Sequence, residues 1–203
     1  MQNLIAQLIK DGYLKTPLII EAFKNIKRED FIPEGLKDET DVNAPLPIGF
    51  GQTISQPLTV AFMLELLGPQ PGEKILDIGS GSGWQTALLA YCVGDKGKVI
   101  GIERIKELAE FGKENIAKYN FMKKGIVEII YADGKDGYEK EAPFDKIIAA
   151  ASARELPEAW KKQLKIGGKI VAPIEESIWL FTKKSDTEFD SQEFPGFVFV
   201  PLL

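Results

Sequence analysis

The stretch Lys74-Ile-Leu-Asp-Ile-Gly-Ser-Gly-Ser-Gly-Trp84 constrains the chain more than any other. Ile75 to Ile78 is a short apolar run that reads as a buried strand, and Trp84 to Val93 reads as a helix. Between them stand Gly79, Gly81 and Gly83. A strand, a glycine turn and a helix start form a cradle for a nucleotide-like ligand, because glycine admits unusual dihedrals and close approach of the backbone. Ser82 and Gln85 stand three apart, the spacing of a capping box that would fix the helix start. The dinucleotide turn, G-x-G-x-x-G, places its third glycine one residue later. Here Trp84 occupies that place, and a bulky side chain there would obstruct a pyrophosphate.

A pattern of strands alternating with helices continues downstream. Lys98 to Ile102 reads as a strand ending at Glu103, which falls 24 residues after Gly79. An acid there is placed to accept hydrogen bonds from ribose hydroxyls, or simply to start the next helix. Ile105 to Lys118 reads as that helix, Val127 to Tyr131 as a third strand, and Asp133-Gly134 follows as an adenine contact or a plain turn. Phe144 to Ala151 gives a fourth strand, Pro157 to Leu164 a helix and Lys169 to Ala172 a fifth strand. Ser177 to Thr182 and Phe197 to Val200 then read as strands with no helix between them, paired antiparallel across a polar, mobile linker from Lys183 to Gly196. The expected architecture is α/β: a doubly wound, mainly parallel seven-stranded sheet with an antiparallel edge strand, with the ligand at the carboxyl ends of the strands.

Ahead of this core, Gln2 to Lys10 reads as an amphipathic helix, and Thr16 caps a second helix that starts at Pro17. Residues 28 to 50 read as irregular, and Gly49 to Pro57 as a loop entering a helix over Leu58 to Leu67. Ser55 has one plain role as the cap of that helix. The whole is one domain, residues 1–203. Residues 1–65 are expected to form a helical lid and substrate loop, 66–175 the cofactor-binding core and 176–203 the closing antiparallel strands.

Composition narrows the chemistry. None of the 203 residues is histidine, which excludes imidazole bases, His-based triads and His-ligated metals, so no metal site is expected. The single cysteine, Cys92, cannot form an internal disulfide and lies in an apolar helical stretch, consistent with a reducing cytoplasm. A net charge of −5 argues against nucleic-acid binding. No apolar run is long enough to span a membrane and no signal peptide is evident at the N-terminus.

The G-x-G-x-G turn after an apolar strand is the usual pattern of class I S-adenosylmethionine-dependent methyltransferases, and nearly the whole chain resembles their protein-L-isoaspartate O-methyltransferase family. Arg28-Glu-Asp-Phe-Ile-Pro33 resembles the family's R-E-x-F-x-P segment, and Pro47-Ile-Gly-Phe-Gly-Gln-Thr-Ile-Ser-Gln-Pro57 its T-I-S-x-P signature. Asp133-Gly-Lys-Asp-Gly137, Ala142 to Ile148, Gln163 to Gly168 and Phe199 to Leu202 match later segments. Trp84 replaces a frequent tyrosine and Asp77 a frequent glutamate.

By that resemblance Ser55 is the active-site residue with Thr53 beside it. Gly79, Ser80 and Gly81 cradle S-adenosyl-L-methionine, Glu103 holds its ribose, Asp133-Gly134 its adenine, and Asp77 and Arg104 complete the cofactor set. The implied reaction transfers a methyl group to the free carboxylate of an L-isoaspartyl residue in a damaged protein. The ester then closes to a succinimide that reopens partly to normal aspartate. The expected partners are isoaspartyl peptides and proteins, and the expected state is a cytoplasmic monomer. Rival readings are a methyltransferase serving one dedicated aspartyl peptide, a nitrogen methyltransferase, and a binding module that kept only the fold. The segment Ala149 to Arg154 lacks the Pro-Pro-aromatic run common in enzymes that act on planar nitrogens.

Overall fold

A computed structural model of the chain describes residues 1–202. Two helices open it, α1 (Gln2–Lys10) and α2 (Pro17–Asn25), followed by 3-10 turns at Arg28–Phe31 and Glu34–Glu39. A hairpin of β1 (Leu46–Gly49) and β2 (Gln52–Ile54) leads into α3 (Pro57–Leu67). The alternating core is β3 (Lys74–Ile78), α4 (Trp84–Val93), β4 (Lys98–Glu103), α5 (Lys106–Ala117), β5 (Val127–Tyr131), β6 (Phe144–Ala149) and α6 (Glu158–Gln163). Three strands close it: β7 (Leu164–Ile174), β8 (Ser177–Lys183) and β9 (Phe189–Pro195).

The seven strands from β3 onward form one sheet in the order β5-β4-β3-β6-β7-β8-β9. The pairings from β5 to β7 are parallel, and β7–β8 and β8–β9 are antiparallel. The five strands joined by parallel pairings need cover on both faces, which is why their sequences are rich in Val, Ile and Leu. The chain leaves β3 toward β4 on one side and returns to β6 on the other. Ligands of such sheets lie at this switch, outside the carboxyl ends of the strands.

Helices α1 and α2 are not a separate layer. Ile5, Leu8, Ile19 and Phe23 join the same apolar cluster as Leu88, Leu89 and Val99 of the core. Phe23 meets the Trp84 indole edge-on, with ring centroids 5.6 Å apart.

Several local expectations fail for identifiable reasons. The polar segment 183–196 is not a mobile linker: Phe189–Pro195 forms β9, paired with β8 from Ser177↔Pro195 to Lys183↔Phe189. Phe197 to Val200 form no strand; Phe197 instead stacks on Phe62 of α3, with centroids 5.4 Å apart. Leu46 to Ile54 forms the β1–β2 hairpin and two 3-10 turns precede it, so residues 28 to 50 and the loop that follows are more regular than expected. Neither Thr16 nor Ser55 caps a helix through its side chain. Thr16 Oγ1 donates to Glu65 at 2.7 Å, and the residue before α3 is Gln56. The Ser82–Gln85 box does not form either, because Gln85 turns inward to Asp77.

The third glycine comes early because Gly83, not a later residue, meets α5. Its φ is +89°, and an added Cβ would lie 2.8 Å from Ile116 Cδ1. Opposite, a Cβ on Gly112 would fall 2.9 Å from the Gly81 carbonyl oxygen. The glycine turn and α5 are therefore in backbone contact.

Candidate active site

A cavity of about 320 Å³ opens at the carboxyl ends of β3 and β4. One wall is the turn after β3, with Gly79, Ser80 and Gly81, joined by Glu103 and Arg104 at the end of β4 and by Gly134 beyond β5. The facing wall is the hairpin: Ile48, Phe50, Thr53, Ile54 and Ser55. The chain's last described residues, Val200 to Leu202, make a third side. They are fixed there by backbone bonds on both sides of Ser152: its N–H donates to the Val200 carbonyl and its carbonyl accepts from Leu202 N–H, each at 2.8 Å.

Glu103 organises the first wall. Its carboxylate is 6% exposed and accepts from the N–H groups of Gly81 and Ile105, both at 2.9 Å. The carboxylate thus ties the glycine turn to the end of β4, with its remaining lone pairs available to a ligand. Behind the turn lies Asp77, fully buried and outside the cavity lining. It accepts from Gln85 Nε2 at 2.7 Å and from Thr86 Oγ1 at 2.5 Å, which fixes the first turn of α4. Burial raises its pKa to about 6, against the two hydrogen bonds and with help from the Glu103 charge. Asp133 also stands outside the lining. It is exposed, and its Oδ1 accepts from Lys135 N–H at 2.9 Å, so it sets the turn that presents Gly134.

The hairpin wall is held by a residue that the sequence shows only as part of a family segment. Arg28 is buried, and its guanidinium donates to four backbone carbonyls: Thr40 at 3.2 Å, Val42 at 3.0 Å, Ala44 at 2.8 Å and Ser55 at 3.3 Å. No carboxylate pairs with it among the described residues. Burial lowers its pKa to about 10, with the more distant Asp41 opposing. The same guanidinium lies over Trp84, 5.5 Å from the ring centroid. Trp84 lines the cavity, so Arg28 touches the support of both walls. The hydroxyls of Thr53 and Ser55 make no hydrogen bond to other described residues and remain free for a ligand.

The donor set suits a nucleoside bearing a short polar tail. Ser80 Oγ and Trp84 Nε1, both on wall residues, are buried without a protein partner. The glycine turn and the hairpin approach closely: a Cβ on Gly81 would come within 3.3 Å of Ile48 Cδ1.

Comparison with known proteins agrees. The family model described as protein-L-isoaspartate(D-aspartate) O-methyltransferase matches residues 1–203. The chain belongs to the protein-L-isoaspartate O-methyltransferase family. It is 42% identical over 206 residues to the protein-L-isoaspartate O-methyltransferase of Methanopyrus kandleri, covering 100% of this chain and 90% of that one. To the Pyrobaculum islandicum enzyme of the same name it is 41% identical, covering 98% and 97% of the two chains. Among solved structures, a Plasmodium falciparum protein described as a protein-L-isoaspartate O-methyltransferase, in complex with S-adenosyl-L-homocysteine, superposes with a TM-score of 0.88. That pair shares 30% identity, covering 99% of this chain and 97% of the other. The chain is accordingly an S-adenosylmethionine-dependent protein-L-isoaspartate O-methyltransferase on the family's fold.

Of the residues singled out from the sequence, Thr53, Ser55, Gly79, Ser80, Gly81, Glu103, Arg104 and Gly134 share one cavity, whereas the buried Asp77 and the exposed Asp133 are not among its lining residues. Trp84, Phe50 and the Val200–Leu202 segment belong to the wall without having been expected there. The aromatic residue at the third-glycine place was a signal for Trp84. For Arg28 there was no chemical signal, because backbone carbonyls leave no mark in a sequence.

Proposed function

We propose that Ser55 and Thr53 orient the free carboxylate of an isoaspartyl residue, while the Gly79–Gly81 turn, Glu103, Arg104 and Gly134 hold S-adenosylmethionine. The observation that carries this reading is that both groups of residues line one cavity. When bound, S-adenosylmethionine supplies a methyl group on a positively charged sulfur.

A side-chain-like carboxylate has a pKa near 4 and is ionised at neutral pH, so no proton need be removed from it. The wall agrees: its only acid, Glu103, is engaged by two N–H groups, and it offers no lysine or tyrosine among the described residues. The chain's task is alignment and exclusion of water. Free hydroxyls on a stapled hairpin serve the first, and Ile48, Ile54, Val60 and Ala151 serve the second. Asp77 and Asp133 act indirectly, Asp77 by fixing the start of α4 and Asp133 by setting the turn at Gly134.

The finer reading is a single domain acting as a monomer on isoaspartyl proteins in the cytoplasm. Residues 1–65 supply the cover and hairpin, 66–175 the cofactor seat and 176–203 the closing strands. Supporting it are the net charge of −5 and the distribution of exposed large apolar side chains over separate elements. No described helix is long and apolar enough to cross a membrane.

A methanol-release assay tests the assignment with isoaspartyl, normal aspartyl and lysine-rich peptides. Only the first should yield methanol. Ser55→Ala should lower kcat/KM about 10- to 100-fold, the cost of one hydrogen bond to a charged group, without changing the melting temperature. Equal release from the normal aspartyl peptide, or full kcat/KM in Ser55→Ala, would sink it.

A further inference from the structure

We propose that Phe50 sets substrate preference by packing against an apolar side chain next to the isoaspartyl residue of the bound peptide. The inference rests on the reading above, that this cavity receives isoaspartyl peptides.

Phe50 is the tip of the β1–β2 hairpin. It is 60% exposed, yet it lines the cavity together with Thr53 and Ser55 of the same hairpin. Its φ of +54° falls in the left-handed region, between Gly49 at +94° and Gly51 at +71°. Three successive left-handed residues suit glycine, and a phenylalanine held there is strained. The ring does not repay that strain in folding. It joins neither apolar cluster and meets no other aromatic ring among the described residues. Glycine would fold this turn better and expose less apolar surface. A strained, exposed aromatic at the edge of a binding cavity is what a contact surface for an incoming ligand requires.

The neighbourhood names the ligand's chemistry. The hairpin segment lends the cavity three apolar residues, Ile48, Phe50 and Ile54, and the uncharged Gln52, Thr53 and Ser55, whereas the two charged lining residues, Glu103 and Arg104, come from the end of β4. A carboxylate delivered to Ser55 and Thr53 brings the adjoining peptide residues over the hairpin tip. An aliphatic or aromatic neighbour gains contact with the ring, and a small one does not.

The test compares isoaspartyl peptides carrying leucine or alanine at the position before or after the damaged residue. In the wild-type enzyme, leucine at one of these positions should raise kcat/KM about fivefold, mainly through KM, as expected for a partly buried apolar contact. Phe50→Ala should bring that ratio to near 1, and Phe50→Leu should restore most of it. The melting temperature of Phe50→Gly should equal or exceed the wild type's, which separates recognition from folding. A leucine-to-alanine ratio that is the same in wild type and Phe50→Ala, or a wild type with no preference at either position, overturns the proposal while leaving the reaction assigned. A wild type inert toward every isoaspartyl peptide overturns both.

Discussion

Replacing Arg28 by methionine removes the guanidinium while keeping an unbranched apolar stem. Four carbonyls lose their donor: those of Thr40, Val42, Ala44 and Ser55. A hydrogen bond to a charged donor contributes about 1.5–3 kcal/mol. Four would give about 6–12 kcal/mol, but sequestering a guanidinium from water costs several kcal/mol in return. The carbonyls of residues 40–44 also lie in an exposed loop, where water can replace the lost donor. The net loss should therefore be about 3 kcal/mol, the cost of leaving one or two of the less accessible carbonyls without a donor. For a chain of this size that lowers the melting temperature by about 6–12 °C.

The functional effect should be uneven. Ser55 loses the anchor of its carbonyl, and a misplacement of about 1 Å can cost about 100-fold in rate. Glu103 and its bonds to Gly81 and Ile105 are untouched, so affinity for S-adenosyl-L-homocysteine, measured by calorimetry, should change little. Peptide kcat/KM should fall about 100-fold. Arg28→Lys, with three donors and no planar fork, should lie between the two. A melting temperature within about 2 °C of wild type, or equal losses of cofactor affinity and peptide kcat/KM, would refute the idea that Arg28 holds the hairpin wall.

Two further outcomes follow from the cofactor side. Glu103→Gln replaces one accepting oxygen by a donor that faces an N–H, so S-adenosyl-L-homocysteine affinity should drop at least about tenfold; an unchanged Kd refutes the role. Asp77 carries a pKa raised to about 6, above the unfolded value, so the folded state holds its proton more tightly. Its contribution to stability is greatest below about pH 4 and is lost as pH rises through about 6. Relative to Asp77→Asn, which does not titrate, wild type should lose on the order of 2 kcal/mol across that window. Chemical denaturation of both proteins at several pH values measures this, and parallel stability curves would rule it out.

What the sequence makes legible is whatever local chemistry alone decides. The strand–glycine–helix unit at Lys74–Val93 is readable because its apolar run, glycines and helical stretch permit one arrangement, and Glu103 and Gly134 follow from strand ends. Two misses arise where a tertiary partner outcompetes a local one. Gln85 has a local use as a cap and a tertiary use on Asp77, and the buried carboxylate wins because its Oδ1 would otherwise lack a donor, Thr86 serving only Oδ2. Thr16 is drawn to Glu65 in the same way. β9 is hidden because an edge strand with little cover needs few apolar residues, whereas Phe197 and Val200 look strand-like but spend their apolar surface on α3 and the cavity. The hairpin is masked by Pro47 and by glycines that read equally well as loop.

The outer margin of β9 has a consequence for the molecule in crowded solution. Among the described residues no strand pairs with it on that side, an arrangement that ordinarily invites another chain to dock and propagate into fibrils. Glu193 along the strand and Glu188 just before it place like charges where two such margins would meet. The polarity that disguises β9 in the sequence is thus also its guard against runaway self-association.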